Sequence, residues 1–335
     1  MRMPQRWTPD CIPHTPAGTN EREQAAQRPQ VMTPAPLTLS LRDALLAVAI
    51  MAVWGTNFTV IRIGLDHLPP LLFAALRFTF ALLPAVFFLK RPDVPWSKLA
   101  AYGFLIGFGQ FGIMFIAMNG HITPGLASLV MQLQVFFTIG LVVYLTGERV
   151  RPFQILALLM AFSGVGVILA HTDGTTTAFG LALSLVAAFS WAGGNVVARS
   201  TPGVNMVAYV VWASMFSVPP LLAASLALEG WSAIRDGLAN ATPVTWAAVL
   251  YQSAANALFG YAMWGWLLGR YPAATVAPMS LLVPVFGMAT AYLWLGEPLY
   301  EWKLAAAALV LSGLALNLLW PKVAALRGAR VPPAA

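Results

Sequence analysis

From residue 43 onward the chain reads as long apolar runs separated by short polar breaks. Ten runs occupy approximately residues 43–63, 70–89, 98–118, 124–146, 152–170, 178–198, 205–228, 245–269, 273–295 and 302–320. A hydrocarbon core about 30 Å thick needs roughly 20 apolar residues per crossing helix, and the runs cluster around that length. They are far longer than barrel strands, and a backbone surrounded by lipid must satisfy its own polar groups. The pattern therefore predicts an all-α integral membrane protein with ten transmembrane helices.

Composition excludes the alternatives. Of 335 residues, 59% are hydrophobic and 9% charged, whereas soluble domains carry about 25% charged residues. The net charge of +7 raises the question of a nucleic-acid partner, which the placement of the charges answers. With a cytoplasmic N-terminus, fifteen of the 19 Lys and Arg fall on one side of the membrane, and only Arg235 and Lys303 on the other. Arg62 and Arg77 lie inside runs. This is the positive-inside asymmetry, so both termini are expected in the cytoplasm, with the lipid bilayer and no nucleic acid as partner. The single cysteine, Cys11, permits no internal disulfide. Residues 1–40, rich in Pro, Gln, Thr and Arg, lack the apolar core of a signal peptide and read as a disordered cytoplasmic tail. Met32 is an alternative start that would leave residues 1–31 out of the native protein, and 321–335 reads as a second cytoplasmic tail.

The chain also repeats itself. Gly147-Glu148 is followed by Ser163-Gly164, and Gly296-Glu297 by Ser312-Gly313, at a constant offset of 149 residues. Trp54 with Arg62 is echoed by Trp191 with Arg199 at the same separation. Five runs per copy is an odd number, so the second copy enters the membrane from the opposite side. The charges agree, since Arg149 and Arg151 follow the first Gly-Glu pair while Pro298 and Glu301 follow the second. Residues 41–171 and 178–320 are thus predicted to be two inverted five-helix repeats around a central cavity, an architecture of secondary transporters.

Several segments carry a family resemblance: Trp54-Gly55-Thr56-Asn57, Leu76-Arg77-Phe78, Pro124-Gly125-Leu126-Ala127-Ser128-Leu129, Gly147-Glu148-Arg149, Phe189-Ser190-Trp191-Ala192 and Ala277-Pro278-Met279-Ser280-Leu281-Leu282-Val283-Pro284. In this order the chain resembles the EamA branch of the drug/metabolite transporter superfamily, over residues 41–320. Through Trp264-Gly265 and Gly269-Arg270-Tyr271 it looks most like bacterial exporters of cysteine and O-acetylserine. The resemblance implies a ten-helix exporter in the bacterial inner membrane, with spans one to four and six to nine around the cavity and spans five and ten outside. It implies a small amino acid or derivative as substrate; another metabolite or drug-like solute on the same scaffold is the alternative.

Arg77 is the polar residue of most interest, because a guanidinium within lipid costs several kcal/mol and must find a cavity or a partner. Either it faces substrate, where a bidentate bond to a carboxylate is its natural role, or it bonds carbonyls at a helix break. Arg62, near the end of its span, reaches the interface instead. Trp54 and Asn57 share a helix face, and Trp191 and Asn195 hold comparable places in the second copy. Indole faces attract an ammonium group; the competing role is packing between helices for both tryptophans and interhelical hydrogen bonding for Asn57 and Asn195. Gln110, Gln132 and Asn256 are further candidate cavity amides, with Tyr261 and Trp264 as an aromatic pair on one face. Gln132 and Gln134 point apart, so at most one of them sees the cavity, while Trp266 belongs to the interfacial belt.

Prolines mark where helices yield. Pro284 frees the carbonyl of Ser280, and Pro219 and Pro220 in span seven and Pro84 in span two act likewise; Pro284 and Pro219 are candidate hinges. Gly164, Gly166 and Gly313 read as sites of close helix packing, and Glu148 and Glu297 as caps of the helices that follow them. No phosphate-binding loop is present for ATP hydrolysis. No carboxylate lies near the middle of a span, and the four His lie in the tail or loops, so gradient-driven efflux with weak proton coupling is expected. No catalytic residue, cofactor or metal is expected, and the oligomeric state is left open. An intramembrane enzyme lacks its polar constellation, and a passive channel lacks charged rings or a carbonyl filter.

Overall fold

The structure is a computed structural model that describes residues 39–147 and 150–326. The expectations for the tail up to residue 38, the Met32 start, Glu148 and the residues after 326 lie outside the described residues. All described regular structure is helical. The ten helices are α1 (Leu41–Gly64), α2 (Pro70–Phe87), α3 (Trp96–Met118), α4 (Pro124–Thr146), α5 (Pro152–Ala170), α6 (Ala178–Arg199), α7 (Met206–Ala239), α8 (Pro243–Leu250 continuing through Tyr251–Phe259 and Gly260–Arg270), α9 (Ala277–Leu295) and α10 (Glu301–Leu326). Among the described residues nine are long and apolar enough to cross a membrane. The exception is α8, whose middle carries Gln252, Ser253 and Asn256, all buried.

Local chemistry sets the helix ends. Pro70, Pro124, Pro152 and Pro243 stand in the first turns of α2, α4, α5 and α8, where a missing N–H costs nothing. The Ser40 hydroxyl caps α1 by accepting from the Asp43 N–H at 3.2 Å. Helices α4 and α9 both end at a left-handed glycine, Gly147 (φ 72°) and Gly296 (φ 68°). A residue with a Cβ is strained there, which explains the duplicated glycine of the Gly-Glu pairs.

Helix packing repeats under exchange of the two halves. Helix α1 packs on α9 as α6 packs on α4; α3 packs on α6 as α8 packs on α1; α2 pairs with α7, and α5 with α10. Each pairing maps onto another, or onto itself, when helices one to five are exchanged for six to ten. This is the contact pattern of two equivalent repeats. Irregular stretches repeat too. A nine-residue π-helical segment, Phe104–Gly112, interrupts α3, and another, Tyr251–Phe259, interrupts the matching α8. Short 3₁₀ segments, Met131–Leu133 and Ala277–Leu281, occupy matching places in α4 and α9.

Packing corrects two expectations from the sequence, at Gly166 and Glu297. Gly164 faces the α10 backbone, where an added Cβ would lie 2.9 Å from the Ala306 carbonyl oxygen, and Gly313 returns the contact, 2.5 Å from the Ala157 carbonyl oxygen. Gly166, however, has nothing within 4 Å and is no packing site. Pro219 and Pro220 leave the α-helix of α7 continuous as far as Ala224, and the deviation comes later, in a π-helical turn at Ser225–Glu229. Glu297 does not cap α10. Its carboxylate accepts from the Thr123 hydroxyl at 2.5 Å and the Gly125 N–H at 2.9 Å, capping α4 of the other repeat. A carboxylate at a helix N-terminus meets the positive end of the helix dipole whichever chain segment delivers it.

Candidate substrate-binding site

Arg77 anchors the site from α2. Its residue is 1% exposed, and among the described residues no carboxylate pairs with it. The guanidinium lies 3.6 Å from the ring centroid of Phe111 and 4.9 Å from that of Phe78. Its Nη2 donates to Asn256 Oδ1 at 3.3 Å, while Nε and Nη1 have no hydrogen-bond partner. A desolvated cation is attracted to ring faces, but rings do not satisfy N–H donors. Helix α2 is held against α8 by the Ser253 hydroxyl, which donates to the Arg77 carbonyl at 2.9 Å.

Asn256 joins Arg77 to the aromatic cluster. Its carbonyl accepts from Trp54 Nε1 at 3.1 Å, and the Trp54 ring packs against Trp264 (5.5 Å) and Tyr261 (5.8 Å). These contacts tie α1 of the first repeat to α8 of the second. Nearby on the same helices, Gln252 Nε2 donates to the Asn57 carbonyl at 3.4 Å, and the Tyr251 hydroxyl donates to the Val53 carbonyl at 2.8 Å. Asn57 and Gln252 are buried, yet Asn57 Oδ1 and Gln252 Oε1 accept nothing. Gln110, in the π-helical part of α3 beside Phe111, likewise buries an unpartnered Oε1. Buried polar atoms are almost always bonded, so a group of orphans calls for an explanation. On α1, α2 and α8 the orphans comprise two donors, both on Arg77, and two amide acceptors, on Asn57 and Gln252.

Not all candidate residues converge. Asn195 donates to Gln134 Oε1 at 2.7 Å and to the Thr138 hydroxyl at 3.2 Å, tying α6 to α4. Trp191 packs half-buried against the main apolar core. Gln132 donates from Nε2 to the Ser280 carbonyl at 3.0 Å, which satisfies the carbonyl that Pro284 leaves free. Trp54, Asn57, Arg77, Asn256, Tyr261 and Trp264 thus occur as linked contacts, whereas Asn195 and Gln132 already have partners. Phe111, Gln252 and Ser253 were not singled out as site residues by sequence reasoning. The interleaved Gln252, Ser253 and Asn256 in an otherwise apolar helix were the available signal.

A cleft of about 560 Å³ opens between α1 and α8 at the end of the bundle where α1 begins, lined by Ser40, Arg42, Asp43, Leu46, Met263, Trp266 and Arg270. Leu46 and Met263, which line the cleft, pack in the same apolar cluster as Trp54 and Trp264. At its rim the Tyr271 hydroxyl donates to the Asp43 carboxylate, and Arg270 Nε stands 3.7 Å from Asp43 Oδ2.

The profile of the EamA-like transporter family matches residues 41–170 and again 178–319, one match per repeat. The chain belongs to the EamA-like transporter family. A probable amino-acid metabolite efflux pump of Salmonella typhimurium is 42% identical over 285 residues, covering 83% of this chain and 95% of that protein. Its counterpart in Escherichia coli K12 is 41% identical with the same coverage, and a probable terminal-alkyne amino-acid exporter of Streptantibioticus cattleyicolor is 27% identical over 300 residues, covering 83% of this chain and 94% of that protein. One solved crystal structure superposes with a TM-score of 0.57 at 20% identity, over 83% of this chain and 99% of that one, a likeness of fold. The family assignment makes the chain a multi-pass membrane transporter. It also gives the two halves their meaning, because every residue of the linked site lies on α1, α2, α3 or α8, where the repeats meet.

Proposed function

We propose that the chain exports small amino acids, cysteine and O-acetylserine among them, from the cytoplasm by alternating access, as a carrier and not an enzyme. The observation that carries this reading is the buried Arg77, whose Nε and Nη1 are unpartnered beside the Asn256–Trp54–Tyr261 group. A carboxylate is the natural complement of two free guanidinium donors, and indole faces with amide oxygens suit the ammonium end of the same molecule. The 42% identical efflux pump supports an amino-acid substrate. Both termini lie in the cytoplasm of a bacterial inner membrane, so the cleft at Arg42 and Arg270 is the loading side.

Transport runs down the substrate gradient, because the carboxylates in the described residues lie at helix ends or in loops, except Glu229 in the π-helical turn of α7, which is engaged by the Leu71 and Leu72 N–H at the start of α2. Overexpression followed by measurement of extracellular cysteine and O-acetylserine tests the substrate. Unchanged efflux of both, with another solute rising, overturns the assignment and leaves the carrier. In reconstituted vesicles, uphill accumulation driven by an imposed pH gradient would overturn the gradient-driven mechanism.

A further inference from the structure

The charges and orphaned atoms of the site are asymmetric. The linked site holds one full positive charge, Arg77, with two unpartnered donors. For a substrate cation it offers only neutral groups: the Asn57 and Gln252 amide oxygens and the rings around Trp54. The buried carboxylates that the structure describes are committed elsewhere. Asp43 bonds Tyr271 and faces Arg270 at the rim of the cleft, and Glu297 bonds Lys303, Thr123 and Gly125 at the far end of α9.

We infer that the carboxylate of the substrate is the obligatory recognition element and that its ammonium group is dispensable, so that the carrier also takes 2-hydroxy acids and rejects the corresponding amines. This rests on the amino-acid reading above and deepens it. A carboxylate brings Arg77 the counter-charge it lacks, in a medium of low dielectric where an uncompensated charge is strongly unfavourable. An amine brings a second positive charge next to the first and leaves both guanidinium donors unpartnered. Replacing the ammonium by a hydroxyl keeps a donor for the orphaned amide oxygens and removes a cation that no carboxylate of the site compensates.

The test uses the purified full chain in lipid nanodiscs, with labelled cysteine binding displaced by 2-aminobutyrate, 2-hydroxybutyrate or propylamine. The expected result is that 2-hydroxybutyrate competes within roughly tenfold of 2-aminobutyrate, the upper end of one ordinary net hydrogen bond. Propylamine competes at least about a hundredfold more weakly, as expected when a buried charge is left unpaired. In Arg77→Gln that gap closes. Propylamine matching the hydroxy acid, or an unchanged ranking in a folded Arg77→Gln, overturns the inference. Should labelled cysteine fail to bind the wild type, the amino-acid reading falls, and thermal unfolding decides the inference separately. It then stands only if 2-hydroxybutyrate raises the Tm of the wild type while propylamine does not, and falls otherwise. Arg77→Lys, which keeps the charge, serves if Arg77→Gln does not fold: it is expected to retain the preference for acid over amine, and losing it counts against the inference.

Discussion

Lys303 Nζ lies 2.8 Å from Glu297 Oε1, and both side chains are nearly inaccessible, 4% and 6% exposed. The pair closes the end of the bundle opposite the cleft. Through Glu297 it binds the second repeat to the first turn of α4 at Thr123 and Gly125. Removing one member of a buried pair leaves the other charge uncompensated, at a cost of about 3–5 kcal/mol. Glu297→Gln is therefore expected to lower the Tm substantially, and adding Lys303→Met should recover part of the loss. A double-mutant cycle of unfolding in detergent should give a coupling above about 1 kcal/mol; strictly additive effects would contradict the interaction.

Gln132 fills the vacancy that Pro284 creates in α9, by donating to the Ser280 carbonyl. In Gln132→Leu that carbonyl is orphaned beside an apolar side chain. The expected loss of stability is about 1–2 kcal/mol, between the cost of an unsatisfied buried group and the mean value of hydrogen bonds between membrane helices. An unchanged Tm would show that another donor replaces Gln132.

Gly166 and Gly313 look alike in sequence and should behave oppositely. Gly313→Leu places carbon against the Ala157 carbonyl and should cost about 1–3 kcal/mol by forcing α5 and α10 apart. Gly166→Ala meets open space and should be neutral or gain up to about 1 kcal/mol of helix propensity. Thermal unfolding of the two variants side by side checks the contrast, and a destabilised Gly166→Ala would refute it.

Trp54 acts on the site through Asn256. Trp54→Phe keeps a ring against Tyr261 and Trp264 but removes the donor to the Asn256 carbonyl. One hydrogen bond of about 1 kcal/mol corresponds to roughly fivefold in affinity. Substrate affinity should fall by about that factor with normal expression, and Trp54→Ala should lose more. Identical affinities in Trp54→Phe and wild type would leave the indole a packing role only.

The sequence by itself determined the helical character of the apolar runs and the two-fold repetition of the chain, and it supplied the expectation of ten crossings in inverted halves. Each of these depends on local quantities: the length of an apolar run, the sign of the charges in a turn, the spacing between Gly-Glu pairs. Such quantities survive averaging along one helix, and the left-handed glycines at Gly147 and Gly296 are the same kind of local fact. What only the tertiary structure decided is which polar group meets which. Gln132 finds Ser280 at 148 residues' separation, Glu297 finds Thr123 at 174, and Trp54 finds Asn256 at 202. The same chemistry in Asn195 is consumed by Gln134 and Thr138, while Asn57 and Gln252 keep free acceptors beside α8. Hydrogen bonds are short-ranged and directional, so an amide in an apolar helix announces that it needs a partner but not whether the neighbouring helix supplies one. Packing answers that question, and at Arg77 it leaves two donors open.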